Sequence, residues 1–452
     1  MRRSRVRISQ ILALAVAFVA VPLAAAAPSE KVSNQRPNIL FITIDTLRAD
    51  RLSAWGYRKP TSPNIDRLVN QGIRFTKART VEPLTGPAMT SALTSRHPHQ
   101  HGAVRNAVRV RRGLSSVSRI LRRNGWTTAA FVSNWTLAAE PSGLDEHFEH
   151  YEEVLTSRRW LGLFKEEAKA EDVTEATVAW LGEWSENRKG PFFVWAHYTD
   201  PHAPYVFRRE FADRLNIPLG LSRPPLGDRY DTEIAAADAA IGDLLDALEA
   251  IPGARNTLIV FTSDHGESFG EHGAWGHGRT LWEEAVRIPL AYTWPGRLRP
   301  GLIENDTSTV DLAPTILGLA AVEVPAAFVG YDWSAVLRGE ARPPRLTTLM
   351  QSHRGAPLPG RDPGLEEGLI EVGVIRGSVK YVWRPDDEAV RAFNLAADPW
   401  EQKNLATEDA PPAPVLAKWH AQVTEGLRHR AGVPATLDRE SVEKLRALGY
   451  LD

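Results

Sequence analysis

From Arg36 onward the chain alternates short apolar runs with amphipathic stretches. Four runs, Asn38 to Ile44, Thr127 to Ser133, Phe192 to Tyr198 and Thr257 to Thr262, are apolar over most of their length rather than at every second position. That pattern marks strands buried on both faces, as in a parallel sheet covered by helices. Between the runs, Leu114, Val117, Ile120 and Leu121 share one helical face, and Ile234, Ala237, Ile241, Leu244, Leu245 and Leu248 share another. Asn124-Gly125 and Pro252-Gly253 supply the stops. The alternation predicts an α/β fold over residues 36–325, with a large, mostly parallel sheet sandwiched by helices. After Val324 the texture changes. Pro325, Gly330, Gly339 and a Pro/Gly/Arg stretch from Arg342 to Pro363 predict an irregular crossing over residues 326–363. Ile370 to Ile375 and Val379 to Trp383 then flank Arg376-Gly377 as a hairpin, and a polar helix follows near Val415 to Leu427. Residues 364–452 therefore read as a smaller C-terminal antiparallel sheet plus helix. No internal repeat is present.

The first residues, Met1-Arg2-Arg3-Ser4-Arg5-Val6-Arg7, are basic; an apolar run from Ile11 to about Val21 follows, then Leu23 and the alanines Ala24 to Ala27. This is the grammar of a secretory signal over residues 1–27, with an uncleaved anchor as the other reading. The expectation is export to a periplasmic or extracellular space, with no stable membrane span after cleavage. At 452 residues, 43% hydrophobic and 24% charged, the chain has the composition of a globular protein with room for one large and one small unit. A formal net charge of −1 supplies no global field for nucleic acid or an acidic membrane surface, so any anionic substrate must be drawn in locally. The absence of cysteine leaves core burial, not disulfides, to hold an exported protein together.

In open α/β sheets ligands bind beyond the carboxyl ends of the strands, so polar residues directly after the apolar runs are the first candidates. The run ending at Ile44 delivers Asp45, which is either a helix N-cap or a ligand. The run ending at Thr262 delivers Ser263-Asp264-His265-Gly266-Glu267, and adjacent carboxylate and imidazole suit Zn, Mn or Mg. In Pro83-Leu84-Thr85-Gly86-Pro87-Ala88-Met89, Pro87 in a first turn places Thr85 at a helix N-terminus. There the helix dipole favours an anion and a deprotonated hydroxyl, although simple capping by Thr85 also accounts for the segment. Two Gly/Pro-rich loops carry His197 with His202, and His272 with His277, imidazoles able to contact ester oxygens or protonate a leaving group. Trp160, Trp275 and Trp282 are candidates either for packing or for lining a sugar or aryl pocket.

Arg36 through Asp50, Thr61 through Leu68, Thr94 through Gly102, Asp200 through Tyr205, Ser263 through Gly266, Glu283 with Arg287-Ile288-Pro289, Phe393 through Glu401 and Leu448 through Leu451 occur in an order that resembles the sulfatase family of the alkaline-phosphatase superfamily. The resemblance implies an alkaline-phosphatase-like fold and ester cleavage at a metal, with residues 36–325 as the catalytic domain. Sulfatases carry Cys or Ser in a C/S-x-P-x-R motif and convert it to formylglycine. Here the aligned stretch is Thr85-Gly86-Pro87-Ala88-Met89, without the convertible residue or the Arg. Thr46 stands where many relatives have a second metal-binding Asp, and His277 replaces the lysine expected ahead of Glu283. The combination is more similar to phosphodiesterases and lipoteichoic-acid-type phosphoglycerol transferases of the superfamily, which use Thr directly through a covalent phospho-enzyme. Carried over residue by residue, Asp45, Asp264 and His265 would hold a divalent cation (Ca, Mg, Mn or Zn). Thr85 would be its fourth ligand and the nucleophile, and His202 and His277 would contact the non-bridging oxygens or the leaving group. The implied function is a sulfatase-family hydrolase or transferase acting on sulfate or phosphate esters without formylglycine, its substrate a small-molecule, glycan or lipid ester. The alternative is a catalytically silent sulfatase-like binding protein for sulfated or phosphorylated glycans.

Overall fold

The computed structural model describes residues 36–447 apart from 156, 160–163, 166–167, 188–189, 221–222, 357–367, 408–412, 431 and 436. The expected leader, Trp160 and Leu448 through Leu451 lie outside the described residues. The apolar run Asn38–Ile44 (β1) is buried along its whole length and sits inside an eight-stranded sheet. The other strands, in chain order, are Ile73–Arg79 (β2), Thr127–Val132 (β3), His150–Glu153 (β4), Phe192–Tyr198 (β5), Thr257–Ser263 (β6), Arg287–Thr293 (β7) and Gly301–Ser308 (β8). Across the sheet they lie in the order β8-β2-β7-β6-β1-β5-β3-β4. Only β7 runs antiparallel to its neighbours.

Alternate side chains of β1 feed two cores, as the period of a strand requires. Ile39 and Phe41 join the layer built with Thr85–Thr94, Val117–Arg123 and Leu312–Leu319, whereas Leu40, Ile42 and Ile44 join that of Pro63–Asn70, Ala170–Glu186 and Leu226–Ala250. All four predicted strands are present, and each belongs to the four-strand block β6-β1-β5-β3. Strands β2, β4, β7 and β8 escape a pattern search because charged and polar side chains interrupt them; β2 reads Ile73-Arg74-Phe75-Thr76-Lys77-Ala78-Arg79. Leu114 falls outside its predicted helix, because the Ser116 side chain accepts the Arg119 N–H and starts the helix at Val117.

A separate antiparallel sheet runs in chain order through Thr347–His353 (β9), Leu369–Arg376 (β10), Val379–Arg384 (β11) and Ala389–Asn394 (β12). Gly377 makes the β10–β11 turn at φ 64°, where a side chain would be strained. The helix Pro414–Arg430 lays Leu416, Trp419, Val423 and Leu427 on Val372 and Val374. The irregular crossing expected over residues 326–363 is corrected in part. Thr347–His353 is an edge strand, paired from Thr347 with Arg376 to His353 with Leu369, and partners that far along the chain supply the backbone bonds that its Pro/Gly/Arg flanks conceal.

A buried ion cluster ties this sheet to the larger one. Lys380 on β11 is fully buried and lies 3.0 Å from Glu283 and 2.9 Å from Glu401, while Arg79 on β2 holds Glu283 at 2.9 Å. Replacing Lys380 by Met leaves these carboxylates short of one buried positive charge, and urea unfolding should register a loss of about 3–5 kcal/mol. A loss under about 1 kcal/mol would show that water reaches the cluster and that it carries little of the packing.

Candidate active site

The carboxyl ends of β1 and β6 are adjacent, Ile44 facing Ser263, so the residues that follow each strand meet. Asp45, Asp264 and His265 are all fully buried, and one ligand atom from each lies within 4.8 Å of the others. His265 Nε2 is 3.3 Å from Asp264 Oδ2 and 3.9 Å from Asp45 Oδ1. Thr85 Oγ1 reaches the same nitrogen at 3.3 Å. The four groups singled out from sequence therefore surround one point. Thr85 is the first residue of its helix, with Leu84 in the N-cap position, so it is not the cap.

Local backbone geometry explains why these atoms converge. Thr46 turns the chain at φ 55° after β1; its N–H donates to Asp264 Oδ1 at 3.0 Å, and its carbonyl accepts the Tyr230 hydroxyl at 2.6 Å. Gly266 is required after His265: a Cβ there would lie 2.1 Å from the Glu284 carbonyl oxygen. The Gly266 carbonyl in turn accepts from His265 Nδ1 at 2.9 Å, which leaves the Nε2 lone pair directed at the carboxylates.

Asn134 and Asn106, missed in the sequence, and His197, singled out there, complete the pocket. Asn134, just beyond β3, donates its Nδ2 to Asp45 Oδ2, and His197 on β5 places Nε2 3.6 Å from the same oxygen. Asn106 accepts the Gly86 N–H at 2.9 Å through Oδ1, while its own Nδ2 is buried with no hydrogen-bond partner beside the start of the Thr85 helix. Asn134 could have been found by the strand-end rule that found Asp45. Asn106 follows no strand and no motif pointed to it. Of the four loop histidines, His197, His202 and His277 belong here. His277 stacks 4.4 Å from the His265 ring and 5.3 Å from that of His202, and its Nδ1 lies 3.1 Å from Glu267, which also accepts the Tyr205 hydroxyl at 2.6 Å. His272 turns away, to Glu284 at 3.0 Å and to a stack on Trp282.

The electrostatics follow from burying two carboxylates together. Burial, and then the negative charge of Asp45, push the Asp264 carboxyl up to about 7. For Asp45, burial works in the same direction but is outweighed by His202, His197 and His265, which hold it far below the ordinary carboxylate range. Burial lowers His265 despite its acidic neighbours, which favours the neutral imidazole. Asp45 Oδ1 and Asp264 Oδ2 are buried without hydrogen-bond partners, a costly state for oxygens that nothing neutralises. Two carboxylate oxygens, an imidazole nitrogen and a hydroxyl suit a divalent metal ion.

A family profile described as Sulfatase matches residues 37–322. The chain belongs to the sulfatase family. Among its relatives, the N-acetylglucosamine-6-O-sulfatase of Bacteroides thetaiotaomicron is 25% identical, in an alignment that covers 73% of this chain and 76% of that protein. Ps i-CgsB, solved in complex with k-i-k-neocarrahexaose, shares the fold with a TM-score of 0.70 at 19% identity, covering 92% of this chain and 98% of that one. The phosphonate monoester hydrolase SpPMH from Silicibacter pomeroyi shares it at 0.65 with 22% identity, over 87% and 95% of the two chains. This sulfatase-family chain is thus related to sulfuric ester hydrolases, and its fold also houses a phosphonate ester hydrolase. Among the described residues no helix is long and apolar enough to cross a membrane.

The site makes the metal-free protein sensitive to pH. A carboxyl that titrates near 7 when folded and near 3.9 when unfolded favours folding below the lower value and loses that contribution as pH rises through about 7. Because Asp238 and the buried histidines titrate alike in both proteins, chelator-treated wild type should lose melting temperature between pH 5 and pH 8 relative to chelator-treated Asp264→Asn. An equal pH dependence in the variant would place the effect elsewhere.

Proposed function

We propose that this sulfatase-family chain cleaves or transfers sulfate or phosphate esters with Thr85 as the nucleophile, without formylglycine. The observation that carries the reading is the convergence of the Thr85 hydroxyl on the Asp45, Asp264 and His265 cluster. Those three residues would hold a divalent cation with Thr85 as fourth ligand. When bound, the cation acts as a Lewis acid on the ester and lowers the hydroxyl's pKa. Thr85 Oγ, at the N-terminal end of its helix, would release its proton to solvent and, as the alkoxide, form the new bond to phosphorus or sulfur in a field that favours anions. The departing alkoxide takes the bonding pair and a proton from the His202 or His277 imidazolium; Glu267, bonded to His277 Nδ1, stabilises that charge. Attack by water on the threonyl ester then frees Thr85 and returns a proton to the imidazole. An alcohol in place of water gives transfer.

The threonine favours phosphoryl over sulfuryl transfer, because a phosphorylated threonine is released by in-line water, whereas a sulfated one needs a further displacement at sulfur. Family membership supports the second reading, a sulfate ester. The ester's alcohol is most simply a sugar, given relatives named for N-acetylglucosamine and neocarrahexaose. The basic, then apolar, then alanine-rich start of the chain supports export to the periplasm or beyond. The silent-binding alternative is disfavoured, since a disused site has no need of two buried carboxylates without hydrogen-bond partners on their facing oxygens.

Thr85→Ala should lower turnover of bis(p-nitrophenyl) phosphate or p-nitrophenyl sulfate by about three orders of magnitude or more. Activity retained within a few fold would leave Thr85 a structural residue. His202→Ala should lose turnover by about 100-fold or more with metal content unchanged by elemental analysis; ordinary turnover in that variant would remove His202 from the reaction.

A further inference from the structure

The loop that brings His277 to the Thr85 site also carries a surface that the chemistry does not use. Trp275 leaves 69% of its area in solvent, in a protein that buries most of its large aromatic side chains. Its indole is nevertheless fixed. Phe269 and Trp275 are partners in a two-stranded ribbon, and the Gly270 N–H closes the turn on the Ala274 carbonyl at 2.9 Å. One side of the six-membered ring lies directly on Gly270, where an added Cβ would stand 2.7 Å from the ring carbons. Gly270 is held at φ 101°, so the absence of a side chain there serves both the turn and the seat of the indole. One side of the ring is sealed and the rest is open.

The place is the rim of the active site. His277, two residues on, stacks 4.4 Å from His265, and two residues of extended chain span at most ~7 Å. From Ala274 on the other side opens a cleft of about 340 Å³, lined also by His272, Thr280, Trp282, Arg384 and Asp387. Its wall is rigid. Trp282 is packed against the His272 ring at 3.9 Å and the Arg391 guanidinium at 4.1 Å, and Arg384 and Arg391 each reach Glu371 at 2.7 Å. The charges cancel, two arginines against Glu371 and Asp387, which suits hydroxyl groups rather than a polyanion. Charged and hydroxyl-bearing walls exclude an acyl chain.

We propose that Trp275 is a specificity-determining platform on which a pyranose ring of the substrate's alcohol portion stacks, with the Thr280, Arg384 and Asp387 cleft taking hydroxyls of the adjoining sugar. The inference rests on the ester-cleaving reading and names its substrate class as a glycan ester. The apolar C–H face of the sugar covers the open side of the indole, while its hydroxyls turn outward to the cleft.

The test separates binding from turnover. Full-length protein bearing Thr85→Ala is applied to an array of sulfated and phosphorylated hexasaccharides, and the strongest ligand is titrated by calorimetry. Adding Trp275→Ala should weaken that binding by about tenfold, and Trp275→Phe should keep it within about threefold. A circular-dichroism melt of each variant confirms the fold. Unchanged affinity in Trp275→Ala overturns the proposal; so does an array on which nothing binds, or a preference for phosphoglycerol vesicles over every sugar. Sugar binding that depends on Trp275, in a protein whose Thr85 proves dispensable for turnover, would retain the platform and remove the nucleophile.

Discussion

Two carboxylates buried beside one another dominate the design of this protein. Asp45 and Asp264 leave neighbouring strands of the same sheet, and parallel pairing of those strands gives their side chains no freedom to separate. In a medium of low dielectric their repulsion is large unless positive charge or donors surround them. Asn134, His197, His202 and His265 supply part of that compensation. A divalent cation would supply the rest, which makes the cluster a site rather than a packing accident.

Once the carboxylates are fixed, neighbouring features follow as supports. The left-handed Thr46, held through Tyr230, aims its N–H at one Asp264 oxygen and leaves the other toward the centre. Gly266 lets the Glu284 backbone approach closely enough to lock His265. Glu267 orients His277 and is itself bonded by Tyr205. Each is a hydrogen bond or a missing side chain that acts through a residue facing the reaction, and each is distributed over segments far apart in the chain. On the proposed function, Thr46 stands where many relatives have a second acidic ligand and Thr85 where they have the formylglycine precursor, so the sulfatase fold would here work with a different nucleophile.

On the proposed reading, the alcohol side of the substrate falls to different elements. The ribbon bearing Trp275, the Trp282 stack and the β11–β12 turn border the site on the side of the small antiparallel sheet, and the buried Lys380 cluster fixes that sheet against the larger one. The proposed reacting groups thus come from ends of central strands, where register is exact, and the proposed recognition groups from turns, which tolerate variation in sequence.

What the sequence determined by itself was the central block of the sheet and the polar cluster at its edge. Strands β1, β3, β5 and β6 are apolar because both their faces are buried, and Asp45 and the Asp264-His265 pair stand out because they end such runs; Thr85 was visible through Pro87 and the family order. The peripheral strands were not legible. Charged side chains reach solvent from β2, and Thr347–His353 is a strand only because β10 pairs with it. The same limit hid Asn106 and wrongly grouped His272 with the other histidines, whereas Asn134 lay within reach of the strand-end rule. Whether a polar side chain turns toward Asp45, as Asn134 does across 89 positions, or toward Glu284, as His272 does across 12, is decided only when the layers pack. Local pattern records burial; only tertiary structure records which buried groups share a center of charge.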